Sequence, residues 1–167
     1  MLEQHTATLT AIFSDVLADL AFMFSDDEQP DVRAGDQWLE TLIGYEGPHI
    51  GTLRLRCTRE FSLKLAANLL GIEPDPDSAQ EAAKDATKEF MNIVCGQLIT
   101  ALHGTEPVFN LTLPSIHELP ETPDFSQKAE SQSSTLSVEG QVIQLSYFPG
   151  EHAADWEARH YDGDSGG

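Results

Sequence analysis

The chain has 167 residues, enough for one domain with a sizeable core, and 40% of them are hydrophobic. Nine Lys plus Arg oppose 28 Asp plus Glu, a net charge of −19, which excludes nucleic acid and anionic membrane as main partners because both need neutralising cations. No run approaches the roughly 20 apolar residues of a membrane span, Met1–His5 lacks a signal-peptide pattern, and Cys57 and Cys95 each sit in an apolar stretch, so the expectation is a cytoplasmic, acidic globular domain.

In chain order, Leu2 to Phe24 carries apolar residues at helical spacing (Leu9, Ile12, Phe13, Val16, Leu17, Leu20, Phe24) and predicts a long amphipathic helix. Two strand-like runs follow, Gln37 to Tyr45 and His49 to Cys57, joined by Glu46-Gly47-Pro48. In the second, Leu53, Leu55 and Cys57 should face a core and Arg54 and Arg56 water. Thr58 or Arg59 starts a helix from about Glu60 to Leu70, which Gly71 stops as a left-handed cap. The run Glu73-Pro74-Asp75-Pro76-Asp77 reads as a linker and Ser78 as an N-cap, before a long helix from about Ala79 to His103. Strands are predicted at Val108 to Leu113, Ser133 to Val138 and Gln141 to Phe148, with a polar loop from Glu118 to Gln132 and a tight hairpin at Glu139-Gly140. Residues 1–150 thus form the domain, and 151–167 read as an acidic, mobile tail. Local hairpins force antiparallel pairing, so the fold class is α+β, an antiparallel sheet with helices packed on one face.

The long helix is the most informative stretch. At 100° per residue, Asp85, Glu89, Asn92 and Gly96 share about one sixth of its circumference, while Ala83, Phe90, Val94, Leu98 and Ala101 form a core-facing stripe. A glycine inside a helix costs about 0.5–1 kcal/mol relative to alanine, and close approach by another surface is a reason for it. The plainer alternative is a solvated helix face with a glycine packed against a neighbouring helix.

With its motif of Asp85, Glu89 and Asn92 followed by Gly96, the chain resembles the CheC/CheX/FliY family of bacterial chemotaxis phosphatases, most closely the CheX-like branch. The strand-then-helix unit from Gly51-Thr-Leu-Arg-Leu-Arg through Phe61 to Gly71 fits the same pattern, as does the run from Asn92 to Leu111-Thr-Leu-Pro114. The likeness covers about Leu9 to Phe148. It implies removal of phosphate from the aspartyl phosphate of a CheY-like response regulator, with Asn92 positioning the attacking water and Glu89 pairing with the regulator's lysine. It also implies that Asp85 and Gly96 serve docking, that the regulator supplies Mg²⁺, that the protein holds no metal of its own, and that it forms a homodimer through its sheet. A non-catalytic module of the same fold, binding a regulator or a flagellar component, is the alternative. In the first helix, Asp15, Asp19 and Phe22 match the spacing of the motif. Phe22 cannot replace an asparagine, and a buried Phe on a single-motif protein is the expectation.

Outside this helix, His152, Asp155, Glu157, His160, Asp162 and Asp164 cluster in sequence as weak metal-ligand candidates, without the closing Glu of a calcium loop. Asn110-Leu-Thr112 matches a glycosylation acceptor that is irrelevant in a cytoplasmic chain, and Cys95 is expected to be a packed small residue rather than a redox handle. The charge is uneven: residues 1–53 carry ten acids and one base, 118–167 ten and two, and 54–88 six of each. An acidic protein that docks on an acidic, Mg²⁺-binding pocket needs such a quiet approach.

Overall fold

The computed structural model describes residues 2–26, 32, 35–71, 73, 79–123 and 133–161. The elements run α1 (Leu2–Ala21), β1 (Ser25–Asp26), β2 (Trp38–Glu46), β3 (Gly51–Thr58), α2 (Arg59–Leu70), α3 (Gln80–His103), β4 (Asn110–Leu111), β5 (Ser115–Leu119), β6 (Ser133–Val138), β7 (Gln141–Pro149) and α4 (Ala153–Tyr161). The strands form one antiparallel sheet in the order β1-β6-β7-β3-β2-β4, with β5 also paired to β2. Helices α1, α2 and α3 cover one face, where Leu39, Ile43, Leu53, Leu55, Ile143 and Leu145 meet Phe13, Leu17, Phe61, Phe90, Val94 and Leu98 in a single core. The predicted α+β class and antiparallel sheet are therefore what the chain adopts.

Local chemistry sets the element ends. The Thr58 hydroxyl accepts from the Phe61 amide at 3.0 Å and opens α2, and Gly71, at φ 67°, closes it with its N–H on the Ala67 carbonyl. Glu139 and Gly140 both take positive φ, 49° and 84°, the backbone of a type I′ hairpin. At α3 the Ser78 cap lies outside the described residues; the N-cap position belongs to Ala79, which makes no side-chain cap. The strand expected over Val108 to Leu113 shrinks to Asn110–Leu111. Pairing along β2 resumes at Ser115–Leu119, whose last two residues fall in the expected Glu118 to Gln132 loop. Pro114, which has no N–H to give a ladder, sits at the break. Thr112 bridges it, its amide on the Gly44 carbonyl and its hydroxyl accepting from the Gly44 amide.

Two expectations about apolar residues fail at the end of α1. Helix α1 stops at Ala21, and Phe22 adopts φ 53° while the Met23 amide reaches back to the Leu17 carbonyl at 3.3 Å. This is a left-handed stop with a non-glycine residue in the αL position, and its back-bond spans six residues, one more than in a Schellman motif. The reversal drives Met23 into the core and leaves Phe22 74% exposed, with Leu20 and Phe24 also turned out. Phe22 is not a buried helix residue.

The second sheet face departs furthest from expectation. Arg54 is buried and Arg56 largely so, because α4 lies across that face. Trp156 is buried against Leu42 and Phe148, the Arg54 guanidinium stacks over both aromatic rings, and the Tyr161 hydroxyl donates to Glu40. Glu40 sits opposite Arg56 in the ladder, and its carboxylate lies 3.5 Å from Arg56 Nε and 3.6 Å from Arg54 Nε. The mobile-tail expectation thus does not hold for Ala153–Tyr161. Residues 162–167 lie outside the described residues.

At the sheet end where α3 finishes, His103 stacks on His49 with ring centroids 4.2 Å apart, alongside Tyr45 and Phe109. Burial, then the neighbouring His49 and His5, holds His103 below the ordinary histidine value of 6.5. The folded state therefore takes up this proton less readily than the unfolded chain. Stability from this group is complete above pH 6.5 and is lost as pH falls below it. Urea unfolding should show a smaller loss between pH 7.5 and 5.5 for His103→Phe than for the unaltered protein; equal losses remove His103 as a source.

Candidate functional site on the third helix

Helix α3 turns Phe90, Met91, Val94, Cys95 and Leu98 into the core, which leaves the Asp85-Glu89-Asn92-Gly96 face outward. Asp85 and Glu89 are exposed, Asn92 and Gly96 half-buried. Asp85 ion-pairs with Lys88 at 3.4 Å, and Lys84 with Glu118 of β5 at 3.3 Å. Both lysines flanking the motif are thus neutralised at the surface, by contacts worth less than about 1 kcal/mol each. Among the described residues, no side chain hydrogen-bonds to or ion-pairs with Glu89 or Asn92. One carboxylate and one carboxamide stand ready on the same open face, with their bonding capacity turned to solvent.

Gly96 lies one turn beyond Asn92, and a β-carbon built on it would meet nothing within 4 Å. The helix-packing explanation for this glycine therefore does not hold: among the described residues no neighbour requires its absence of a side chain. Gly96→Ala should stabilise the fold by about 0.5–1 kcal/mol in urea unfolding, the ordinary helix preference; a destabilised variant would show an internal need for the glycine.

Beside the motif lies a depression of about 620 Å³, lined by Ile12 of α1, Leu111 of β4, and Asn92, Ile93, Gly96, Gln97, Thr100 and Ala101 of α3. Ala101, placed by periodicity in the core stripe, is exposed here. It lies in the last turns of α3, where Leu98 and Ile99 make the core contact and the Ala101 side meets the depression. Sequence reasoning missed this hollow because two of its walls come from α1 and β4, far from the motif in the chain.

The other candidates resolve into structural roles. His152 lies 3.3 Å from Glu46, Glu157 takes a hydrogen bond from Ser115 and faces His117 at 3.4 Å, and His160 stacks on Trp156. The contacts of His152 and Glu157 hold α4 and the residue before it against the sheet, and the His160 stacking lies within α4; among the described residues no group of three or more His, Cys, Asp or Glu is arranged to hold a metal ion. Asp162 and Asp164 lie outside the described residues. Cys57 and Cys95 are free and buried, and burial pushes both thiols up to about 12, so neither is a ready nucleophile. No helix among the described residues is long and apolar enough to cross a membrane.

No curated protein matches the chain in sequence. Among solved structures, the chemotaxis protein CheX from Desulfovibrio desulfuricans is similar over 87% of this chain and 99% of its own, at 16% identity and a TM-score of 0.63. CheX from Vibrio vulnificus matches over 86% and 99%, at 19% identity and a TM-score of 0.62. A complex of CheX with CheY, BeF3 and Mg²⁺ from Borrelia burgdorferi matches over 86% and 96%, at 23% identity and a TM-score of 0.59. At these identities the likeness speaks for the fold. The model of the family described as chemotaxis phosphatase CheX matches residues 40–137, more than half of the chain and the whole of α3. The chain belongs to the chemotaxis phosphatase CheX family.

Proposed function

We propose that this protein hydrolyses the aspartyl phosphate of a CheY-like response regulator, using Glu89 and Asn92. The observation that carries the reading is the pair itself, an unengaged carboxylate and an unengaged carboxamide three residues apart on an open helix face. Asn92 enters beside the acyl phosphate: its carbonyl oxygen accepts from the attacking water and its NH₂ donates to a phosphoryl oxygen, adding no charge. The water oxygen bonds to phosphorus, the bond from phosphorus to the aspartyl oxygen breaks, and the regulator's carboxylate leaves. Glu89 forms a charge-assisted bond with a lysine of the regulator and fixes the register. Asp85 and Gly96 take part in docking, Gly96 by leaving room for the partner.

Mg²⁺ belongs to the regulator in this reading, and it would stabilise charge on the phosphoryl oxygens. The motif face itself offers two carboxylates, Asp85 and Glu89, one helical turn apart. The CheX–CheY complex with BeF3 and Mg²⁺ from Borrelia burgdorferi supports such a partner and such an ion for this chain. We place the activity in the cytoplasm, a reducing compartment in keeping with two unpaired thiols. A homodimer completes the reading, supported by Leu20, Phe22 and Phe24, exposed next to the two-residue edge strand β1.

Phosphate release from a phosphorylated CheY-like regulator, with and without this protein, tests the proposal. Release should accelerate at least tenfold and in proportion to added protein. No acceleration with any regulator that binds would leave a non-catalytic module in its place.

A further inference from the structure

We infer that the hollow beside Asn92, together with Val108 and Leu113, is a second docking element that seats an apolar surface of the phosphorylated regulator and selects which regulator is accepted. The inference rests on the proposed function for its partner and goes beyond it in assigning a separate specificity surface. Leu113 and Val108, 93% and 78% exposed, are the two most exposed large apolar side chains among the described residues. Each lies within three residues of Leu111, which forms one wall of the hollow. The second wall is Ile12 of α1, and the floor is α3 from Asn92 to Ala101. Apolar side chains this exposed, on the segment that supplies one wall of a concave surface, mark an interaction site rather than a solvated loop.

Charge and continuity identify the occupant. The eight residues lining the hollow, Leu113 and Val108 carry no ionised group, in a protein of net charge −19. A partner whose phosphorylation pocket binds Mg²⁺ must present carboxylates there, and it can approach an acidic protein closely only across an uncharged surface. Asn92 and Gly96 belong both to the motif face and to the lining of the hollow, so a regulator engaged by the motif lies over the hollow as well. The empty space above Gly96 is where that surface enters. Selection then follows from shape and hydrophobicity in the hollow, while the motif reads features common to all phosphorylated regulators.

Leu113→Asp and Thr100→Glu put a charge two residues beyond the Leu111 wall and in the lining of the hollow; both positions are exposed, so the fold, checked by circular dichroism, should be retained. Affinity for a CheY-like regulator loaded with BeF3 and Mg²⁺ is measured by fluorescence anisotropy. Both variants should bind at least tenfold more weakly than the unaltered protein, and in the phosphate-release assay their KM should rise by a similar factor while kcat changes less than twofold. Asn92→Ala should show the opposite split. Unchanged affinity in both charged variants overturns the inference and leaves the proposed function standing. So does a change in sedimentation behaviour with unchanged regulator affinity, which would assign the hollow to a second copy of the chain. Weaker binding by the variants, in a protein that never accelerates phosphate release, would uphold the docking surface and remove the catalysis. Absence of any binding to loaded CheY-like regulators would overturn both.

Discussion

Asn92→Ala should lower stimulated phosphate release by at least about a hundredfold, the scale on which a positioned group acts on a bound nucleophile. The loss should fall on kcat. The Asn92 side chain makes no hydrogen bond among the described residues and is half-buried, not part of the core, so its truncation leaves the helix and its packing as they are. Thermal unfolding within about 2 °C of the unaltered protein is the accompanying expectation, since exposed substitutions change stability by less than about 0.5 kcal/mol. Asn92→Asp is the sharper control. It keeps the shape but removes the NH₂ donor and sets a negative charge against the phosphoryl group, and it should be no better than alanine. Retention of more than half the rate by either variant would end the role proposed for this side chain.

The largest effect on stability is expected from Glu40→Ala, which should cost about 3–5 kcal/mol in urea unfolding. Glu40 is 1% exposed, and it is the acid facing two guanidinium groups, Arg54 and Arg56. Removal of one partner from a buried ion cluster leaves the remaining charges uncompensated, which costs far more than the intact cluster contributes. The same carboxylate accepts from the Tyr161 hydroxyl at the end of α4, so the loss reaches the helix that covers this face. Burial, and the hydrogen bond and charge of Glu40, raise the ionisation of Tyr161 well above its ordinary value, and the tyrosine thus remains a donor throughout the useful pH range. Trp156 fluorescence reports the consequence: it should shift to the red in Glu40→Ala as the ring leaves Leu42 and Phe148. Glu40→Gln keeps an acceptor for Tyr161 and should cost less. A change below 1 kcal/mol in the alanine variant would show that water or a rearranged side chain compensates the arginines.

The two variants separate the faces of the molecule. Asn92 belongs to the helix-covered side and acts on turnover with little effect on folding. Glu40 belongs to the opposite side and acts on folding. Glu40→Ala measured at a temperature where it remains folded should retain phosphate release, because the sheet and its core of Leu39, Ile43, Leu53 and Leu55 stand between α4 and α3.

Periodicity and capping chemistry made much of the fold legible. Apolar spacing in α3 from Ala83 to Leu98, the Thr58 and Gly71 caps of α2, and the Glu139-Gly140 hairpin each depend on residues within a few positions of one another, and each appears as read; Ala101, the last of the α3 stripe, does not. Asp85, Glu89, Asn92 and Gly96 lie on one helix, where spacing alone aligns them, while their reading as a site is what the resemblance to the family implies. Long-range partners decided what the sequence could not show. Alternation along β3 marks Arg54 and Arg56 as facing away from Leu53 and Leu55, but not whether water or protein meets them. The answer came from Trp156 and Tyr161, about a hundred residues away, whose helix reads as a short polar tail when taken alone. At the end of α1, helical spacing favoured Phe24 for the core, and the left-handed turn at Phe22 gave that place to Met23. By itself the sequence determined which residues share a helix face or a strand face, because that follows from backbone geometry. Only the tertiary structure decided which of those faces are covered and which stay open, because covering a face takes residues that the chain brings in from elsewhere.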